Sequence, residues 1–402
     1  MKPRTILCTG KGGVGKTTVA AATAQRCAAA GLRTLVLSTD PAHSLSDVME
    51  TDLSSRPTRV SPGLDGQEVQ AQEEAERHWE AVSLWLGEML FDRGVDPIAA
   101  EELTVPPGLD ELFSLLQIKA HHDSGAYDAI VVDCAPTGET LRLLSFPDVC
   151  TWWLEKVFPA QTRMVAAARP LARTLLPDLP LPSDGVLDDV ERLVRNLVTM
   201  NGILRDRRRT SIRLVMNPDR IVIKEAMRTF TYLNLYGFLT DAVIVNRVLP
   251  EAAGEGYFAD WRARQQENME LVRSAFAPVP ILAAPHFPSE VTGPDALDQL
   301  ADVLFGEHEA HEVLHTELSQ ELSATDGGAT LRLALPFAQR GELALKKIGL
   351  EVVVRVGAQK RTIILPPALG SYEVDGARLR DGALEVRFVR ASSDGGTATD
   401  ES

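Results

Sequence analysis

Short, continuous apolar runs punctuate the N-terminal three-quarters of the chain, at residues 5–9, 34–38, 129–133, 214–216 and 242–246. They lack the in–out alternation of half-exposed strands, so they predict strands buried on both faces. Between them lie longer stretches with apolar positions at helical spacing. The first is alanine-rich, runs from Val19 to about Ala30 and stops at Gly31. Strands separated by helices predict a mostly parallel sheet covered by helices on both faces.

Two helical stretches exceed what such a sheet needs. Residues 67–120 carry Trp79, Val82, Leu86 and Leu90 at helical spacing, and residues 150–210 carry Trp152, Trp153, Val157, Phe158, Leu171, Leu175 and Leu176. Both are expected to form a helical subdomain inserted beside the sheet. Beyond Gly306 the pattern changes. Residues 307–328 are polar, acidic and histidine-containing, and are expected to be a helix end followed by a linker. Short strands at 330–335, 343–346, 351–356, 360–365 and 384–389 then follow each other, with Gly and Pro between them. The expected organisation is an α/β domain over 1–306, a linker over 307–328, a small all-β sandwich over 329–391 and a disordered tail over 392–402.

Charge narrows the partners. The 402 residues carry a formal net charge of −15, which repels phosphate backbones and argues against nucleic-acid binding. The densest basic stretch, residues 205–213, reads as a solvated helix end. Four cysteines, Cys8, Cys27, Cys134 and Cys150, form no C-x-x-C pair, and no secretory segment precedes them. A reducing, cytoplasmic setting is expected. No apolar run reaches the roughly eighteen residues of a membrane span.

The chemistry is concentrated after the first strand. Gly10, Lys11, Gly12, Gly13, Val14, Gly15, Lys16, Thr17 and Thr18 contain the spacing G-x-x-x-x-G-K-T, with a strand before and a helix after. Glycines let backbone N–H groups approach phosphate oxygens, and a helix N-terminus adds favourable partial charge. Lys16 is expected to neutralise the β- and γ-phosphates of ATP, and the Thr17 hydroxyl to ligate Mg²⁺. Asp40 follows the second strand and suits orientation of an attacking water. Asp133 ends the third and suits a Mg²⁺ role, so Thr17, Asp40 and Asp133 form the expected metal set. Residues 133–138 are expected to act as a switch loop.

The wording of these segments resembles one family. Lys11 matches the second lysine of the deviant Walker A group. GKGGVGKTT, STDPAHSLSD and DCAPTGETLRLL resemble the ArsA family of arsenite-pump and guided-entry ATPases, and so do residues 107–111, 217–219 and 245–247. The resemblance covers about residues 4–305. It implies a homodimer in which Lys11 reaches the partner's nucleotide. It also implies an adenine pocket built from Asn246 and the loop Pro285, His286 and Phe287. Residues 331–389 resemble an α-crystallin sandwich of the kind appended to some ArsA-like proteins.

Departures from that family shape the functional expectation. The cysteines do not fit a three-cysteine metalloid site, residues 250–285 hold no zinc-clasp cysteine, and Glu139 stands where those relatives carry a histidine. The expected function is an ATP-driven dimeric switch that captures and releases hydrophobic protein segments. Trp152, Trp153, Val157, Phe158 and Met164 are candidate lining residues. The alternatives are the energising subunit of an arsenite or anion pump, with a membrane pump subunit as partner, and a MinD-like positioning ATPase. An iron–sulfur reductase ranks below both.

Overall fold

The computed structural model describes residues 2–40, 44–70, 109–134, 184–253, 256–276, 278–306, 308–316, 320–325, 328–335, 343–356, 359–365 and 367–390. The chain divides into two compact units. The first comprises residues 1–230 and 238–316, the second residues 231–237 and 317–402.

The first unit is built on an eight-stranded sheet. Its strands are β1 (Arg4–Thr9), β2 (Thr34–Ser38), β3 (Thr58–Ser61), β4 (Leu64–Glu68), β5 (Ala129–Asp133), β6 (Thr210–Met216), β7 (Thr240–Val248) and β8 (Ile281–Pro285). Their order is β3-β4-β2-β5-β1-β6-β7-β8. Only the β3–β4 pair is antiparallel; the other neighbours are parallel. Every residue of β1, β2, β5 and β6 is buried; β6 begins at Thr210, four residues before the apolar run at 214–216 that announces it, and includes buried Arg213. The chain leaves β1 for one side of the sheet and later returns to its other side. The C-terminal end of β1 therefore lies at a topological switch point, where open α/β sheets hold ligands.

The helices are α1 (Lys16–Ala29), α2 (Leu45–Met49), α3 (Leu109–Ser124), α4 (Asp184–Leu204), α5 (Arg220–Tyr236), α6 (Ala259–Phe276) and α7 (Gly293–Phe305). Ala20, Ala21, Ala22 and Ala24 of α1 are fully buried, and these small side chains let α1 lie close to the sheet. Leu297, Leu300, Ala301 and Leu304 of α7 recur at three- and four-residue spacing and pack into the same core. Burying each such leucine contributes about 2 kcal/mol.

The second unit contains two antiparallel sheets, β14-β15-β10-β9 and β11-β12-β13. The strands are β9 (Gln320–Thr325), β10 (Gly328–Ala334), β11 (Leu343–Ile348), β12 (Glu351–Val356), β13 (Gln359–Ile364), β14 (Tyr372–Arg380) and β15 (Ala383–Arg390). Leu331, Leu333, Val352, Val354, Val386 and Phe388, alternate residues of β10, β12 and β15, form its core.

Several expectations require correction. The segment expected to be a linker over 307–328 contains β9, which pairs with β10 along its length. Its sequence, QELSAT, has one large apolar residue, so periodicity alone misses it. Strand β14 was also missed, because its alternation (YEVDGARLR) is broken by charge and by a bulge at residues 374–376. Residues 67–68 end β4 rather than begin a helix, and residues 205–209 form a turn before β6. Of the expected helical insertions, α3 and α4 are helical; residues 71–108 and 135–183, with the candidate lining residues, Cys150 and Glu139, lie outside the described residues.

Candidate functional site

The nucleotide-binding candidate is the loop between β1 and α1. Gly10 leaves β1 beneath β6, where an added Cβ would meet the Val215 carbonyl oxygen at 2.1 Å. Only glycine fits there. Gly13 and Gly15 adopt left-handed backbone, with φ of 80° and 92°. Gly15 is the residue before α1 and has no side chain with which to cap it. The first-turn amides of α1 are thus available to an anion. Gly12 and Gly13 have open space around them, Val14 is buried beneath the loop, and Lys16 is 5% exposed. Thr18 is half-buried on the first turn of α1.

Strand register brings the acidic group to this loop. Cys8 of β1 and Ser38 of β2 both align with Asp133 at the end of β5. Thr17 Oγ1 donates to Asp133 Oδ2 at 2.7 Å and lies 3.1 Å from Ser44 Oγ. Ser38 Oγ donates to the same Oδ2 at 3.4 Å. The second oxygen, Oδ1, is buried and has no hydrogen-bond partner. Burial pushes the Asp133 carboxyl up to about 6, against the opposing pull of the Thr17 hydrogen bond and the Lys16 charge. A buried carboxylate with one unsatisfied oxygen, beside a threonine hydroxyl, suits a divalent cation.

Asp40 sits just past β2, where its backbone N–H reaches Ser38 Oγ at 3.3 Å. Its charge adds to the upward shift of Asp133, so the two carboxylates share one site. Lys11 is half-exposed and pairs with Glu225 of α5 at 3.1 Å. The switch segment is described only as far as Cys134, whose N–H donates to the Cys8 carbonyl at 3.0 Å.

The expected adenine contacts divide. Asn246 reaches the phosphate loop itself: Nδ2 donates to the Val14 carbonyl at 3.0 Å, and Oδ1 accepts the Arg247 N–H at 2.9 Å. One amide proton and one lone pair remain for a ligand. Pro285 closes β8, the N–H of exposed His286 donates to the Val248 carbonyl at 2.8 Å, and half-buried Phe287 packs against the core that holds Val14. These residues lie beside β7, on the same rim as the loop. Sequence reasoning assigned no role to Ser44, Glu225 or Arg247. The first lies inside the quoted STDPAHSLSD run and could have been read as a second hydroxyl. The others carry no motif.

Three cysteines, Cys8, Cys27 and Cys134, are buried free thiols. Among the described residues no cluster of three His, Cys, Asp or Glu side chains could hold a metal ion, and no helix is long and apolar enough to cross a membrane.

Comparison with known proteins follows the same division of the chain. The model of the anion-transporting ATPase family, ArsA, matches residues 3–306, and that of an HSP20-like domain found in ArsA matches residues 326–388. A putative arsenical pump-driving ATPase of Prosthecochloris vibrioformis is 37% identical over 390 residues, 96% of each chain. A putative arsenical pump-driving ATPase 1 of Aquifex aeolicus is 34% identical over 393 residues, 95% of this chain and 99% of its own. An ATPase ASNA1 homolog 1 of Paramecium tetraurelia is 27% identical over 306 residues, 74% of this chain. With a phosphate loop of this geometry and a family match that spans most of its length, the chain belongs to the ArsA family of ATPases and is an ATP hydrolase.

Proposed function

We propose that the chain is a Mg-ATP-driven dimeric switch whose two nucleotide states capture and release hydrophobic, membrane-protein-like segments. The observation that carries the ATP chemistry is the join between Thr17 and Asp133 at 2.7 Å, with Asp133 Oδ1 buried and unsatisfied next to Lys16. Thr17 and Asp133, with Asp40 nearby, would hold Mg²⁺. When bound, Mg²⁺ supplies neutralisation of charge on the β- and γ-phosphates. Lys16 and the amides of residues 13–17 bind the triphosphate and orient it in line. Asp40 accepts a hydrogen bond from the attacking water and positions it. Asn246, Pro285, His286 and Phe287 would flank the base.

Two features support a protein client over a metalloid cargo. The described cysteines are buried apart from any metal-binding cluster, so they offer no thiolate triad at a surface. The second unit matches an HSP20-like domain. The printed names of the relatives favour the other reading, an energising subunit for an arsenical pump.

The test uses the full chain and its Lys16→Ala variant. Hydrolysis should fall by at least about a hundredfold in the variant. Affinity capture in ATP-like and ADP states, followed by mass spectrometry, should enrich proteins with hydrophobic tails in one state only. Stimulation of hydrolysis by arsenite or antimonite, without state-dependent capture, would transfer the assignment to the pump reading.

A further inference from the structure

The end of β7 holds the phosphate loop from behind through two consecutive side chains. Asn246 Nδ2 donates to the Val14 carbonyl at 3.0 Å, and Arg247 Nη1 donates to the Gly13 carbonyl at 3.1 Å. Two consecutive carbonyls of the loop are therefore turned toward β7. A trans peptide is planar, and its N–H points opposite to its C=O. Fixing the Gly13 carbonyl aims the Val14 N–H away from β7, and fixing the Val14 carbonyl does the same for the Gly15 N–H. Those amides belong to the set that the loop pattern directs at phosphate oxygens.

Three further observations make this a built arrangement. Arg247 has φ of 58°, a left-handed backbone that disfavours a residue with a Cβ. The Arg247 backbone N–H donates to Asn246 Oδ1 at 2.9 Å, which ties the Asn246 amide to this turn of the backbone. The regular pairing of β7 with β8 is interrupted between Val245 and Val248, which frees this corner from the ladder. Gly15 completes the fit: a Cβ there would lie 2.4 Å from Asn246 Nδ2, so the Asn amide occupies the space that a missing side chain leaves.

We infer that Arg247 is a positioning residue for phosphate recognition: its guanidinium holds the Gly13–Val14 peptide so that its amide faces the nucleotide's phosphates, and it places a positive charge behind the loop. This rests on the ATP-binding reading of the loop and deepens it. Arg247 acts through the Gly13–Val14 peptide.

The experiment measures Mg-ADP and Mg-ATP binding by calorimetry, and the ³¹P spectrum of ADP at saturation, in the full-length protein. The variants are Arg247→Ala, Arg247→Gly and Arg247→Lys. Glycine suits the left-handed backbone, so a fold defect in the alanine variant does not hide the outcome. Loss of a hydrogen bond from a charged donor should weaken ADP and ATP binding roughly tenfold. The β-phosphorus resonance of bound ADP should move, and Arg247→Lys should recover part of both effects. Binding of ADP by Arg247→Gly within about a factor of two of the parent overturns the inference, and so does weaker binding with the β-phosphorus resonance in its parent position. Lys16→Ala separates the two layers. If that variant still binds ATP as the parent does, the loop is not the nucleotide site and the underlying reading fails, whatever Arg247 does.

Discussion

The Lys11 ammonium lies 3.1 Å from the Glu225 carboxylate of α5, and the two side chains are 41% and 37% exposed. A pair this open contributes about 1 kcal/mol or less. It is strong enough to bias where the lysine rests and weak enough to exchange for a phosphate. In the dimeric switch proposed above, the pair competes with any reach of Lys11 toward a partner's nucleotide. Glu225→Gln should therefore raise the steady-state rate of ATP hydrolysis by roughly two- to fivefold, the factor that 1 kcal/mol corresponds to. The melting temperature should not change measurably. A rate that stays at the parent value in Glu225→Gln while Lys11→Ala lowers it would show that the contact does not restrain the lysine.

The phosphate loop also makes a steric prediction. Gly10→Ala places a methyl group 2.1 Å from the Val215 carbonyl oxygen, a backbone atom in a central strand that cannot move aside. The substitution should cost about 3 kcal/mol or more, or displace the loop from β6. Gly12→Ala meets nothing within 4 Å and should leave stability within about 0.5 kcal/mol. Urea titration of the two variants checks the contrast. Equal midpoints would mean that the loop does not pass beneath β6 as described.

How much of the fold is legible in the sequence follows from the range over which each signal acts. The residues of β2, β5 and β12 are assigned to their observed bounds, because each holds a short run dense in apolar, often β-branched, side chains. The loop was legible because its glycines and Lys16 lie within nine consecutive positions. Asp133 was legible because a carboxylate ending an apolar run is locally conspicuous. Its link to Thr17 spans 116 positions and is made by strand register. Strands β3 and β8 escape the reading because they are half-exposed sheet edges, and β4 because its sequence, LDGQE, is mostly polar although the strand is buried. Arg247 was quoted as part of a family segment but given no role, since its partner carbonyl lies 234 positions away.

Thiol chemistry offers an independent check on the cargo. Burial pushes Cys8 up to about 12 and Cys27 up to about 11, and Cys134 is raised well above the ordinary thiol range. A raised thiol pKa keeps the neutral form at pH 8, and the thiolate is the reactive species. Native protein at pH 8 should leave these three thiols unmodified by an aromatic disulfide reagent over minutes. All four cysteines of the chain should react once it is unfolded in guanidinium. Peptide mapping identifies the protected sites. Rapid modification of Cys134 in the native state would reopen a metalloid role for the residues around the nucleotide site.

At the other end of the sheet, Arg4 anchors a polar cluster under the strand N-termini. Its Nη2 lies 3.0 Å from Asp241 Oδ2 and donates to Ser211 Oγ at 2.6 Å, and its Nε donates to the His311 carbonyl at 2.8 Å. Arg213, fully buried, donates to the Ala310 carbonyl at 2.6 Å and lies over the Phe305 ring at 5.2 Å. Asp241 thus balances two buried cations that hold the segment after α7 against β1, β6 and β7. Removing it strands both. Asp241→Ala should cost about 3–5 kcal/mol, the range for breaking a buried pair from one side. Replacing Arg4 and Asp241 together with Met and Leu removes charge of both signs and should cost less than Asp241→Ala alone. Because the pair is shielded from solvent, the cost should change little between low and high salt. Urea unfolding at two ionic strengths measures all three quantities. A loss below about 1 kcal/mol for Asp241→Ala, or one that vanishes in salt, would mean that the cluster is open to water and does not clamp the segment.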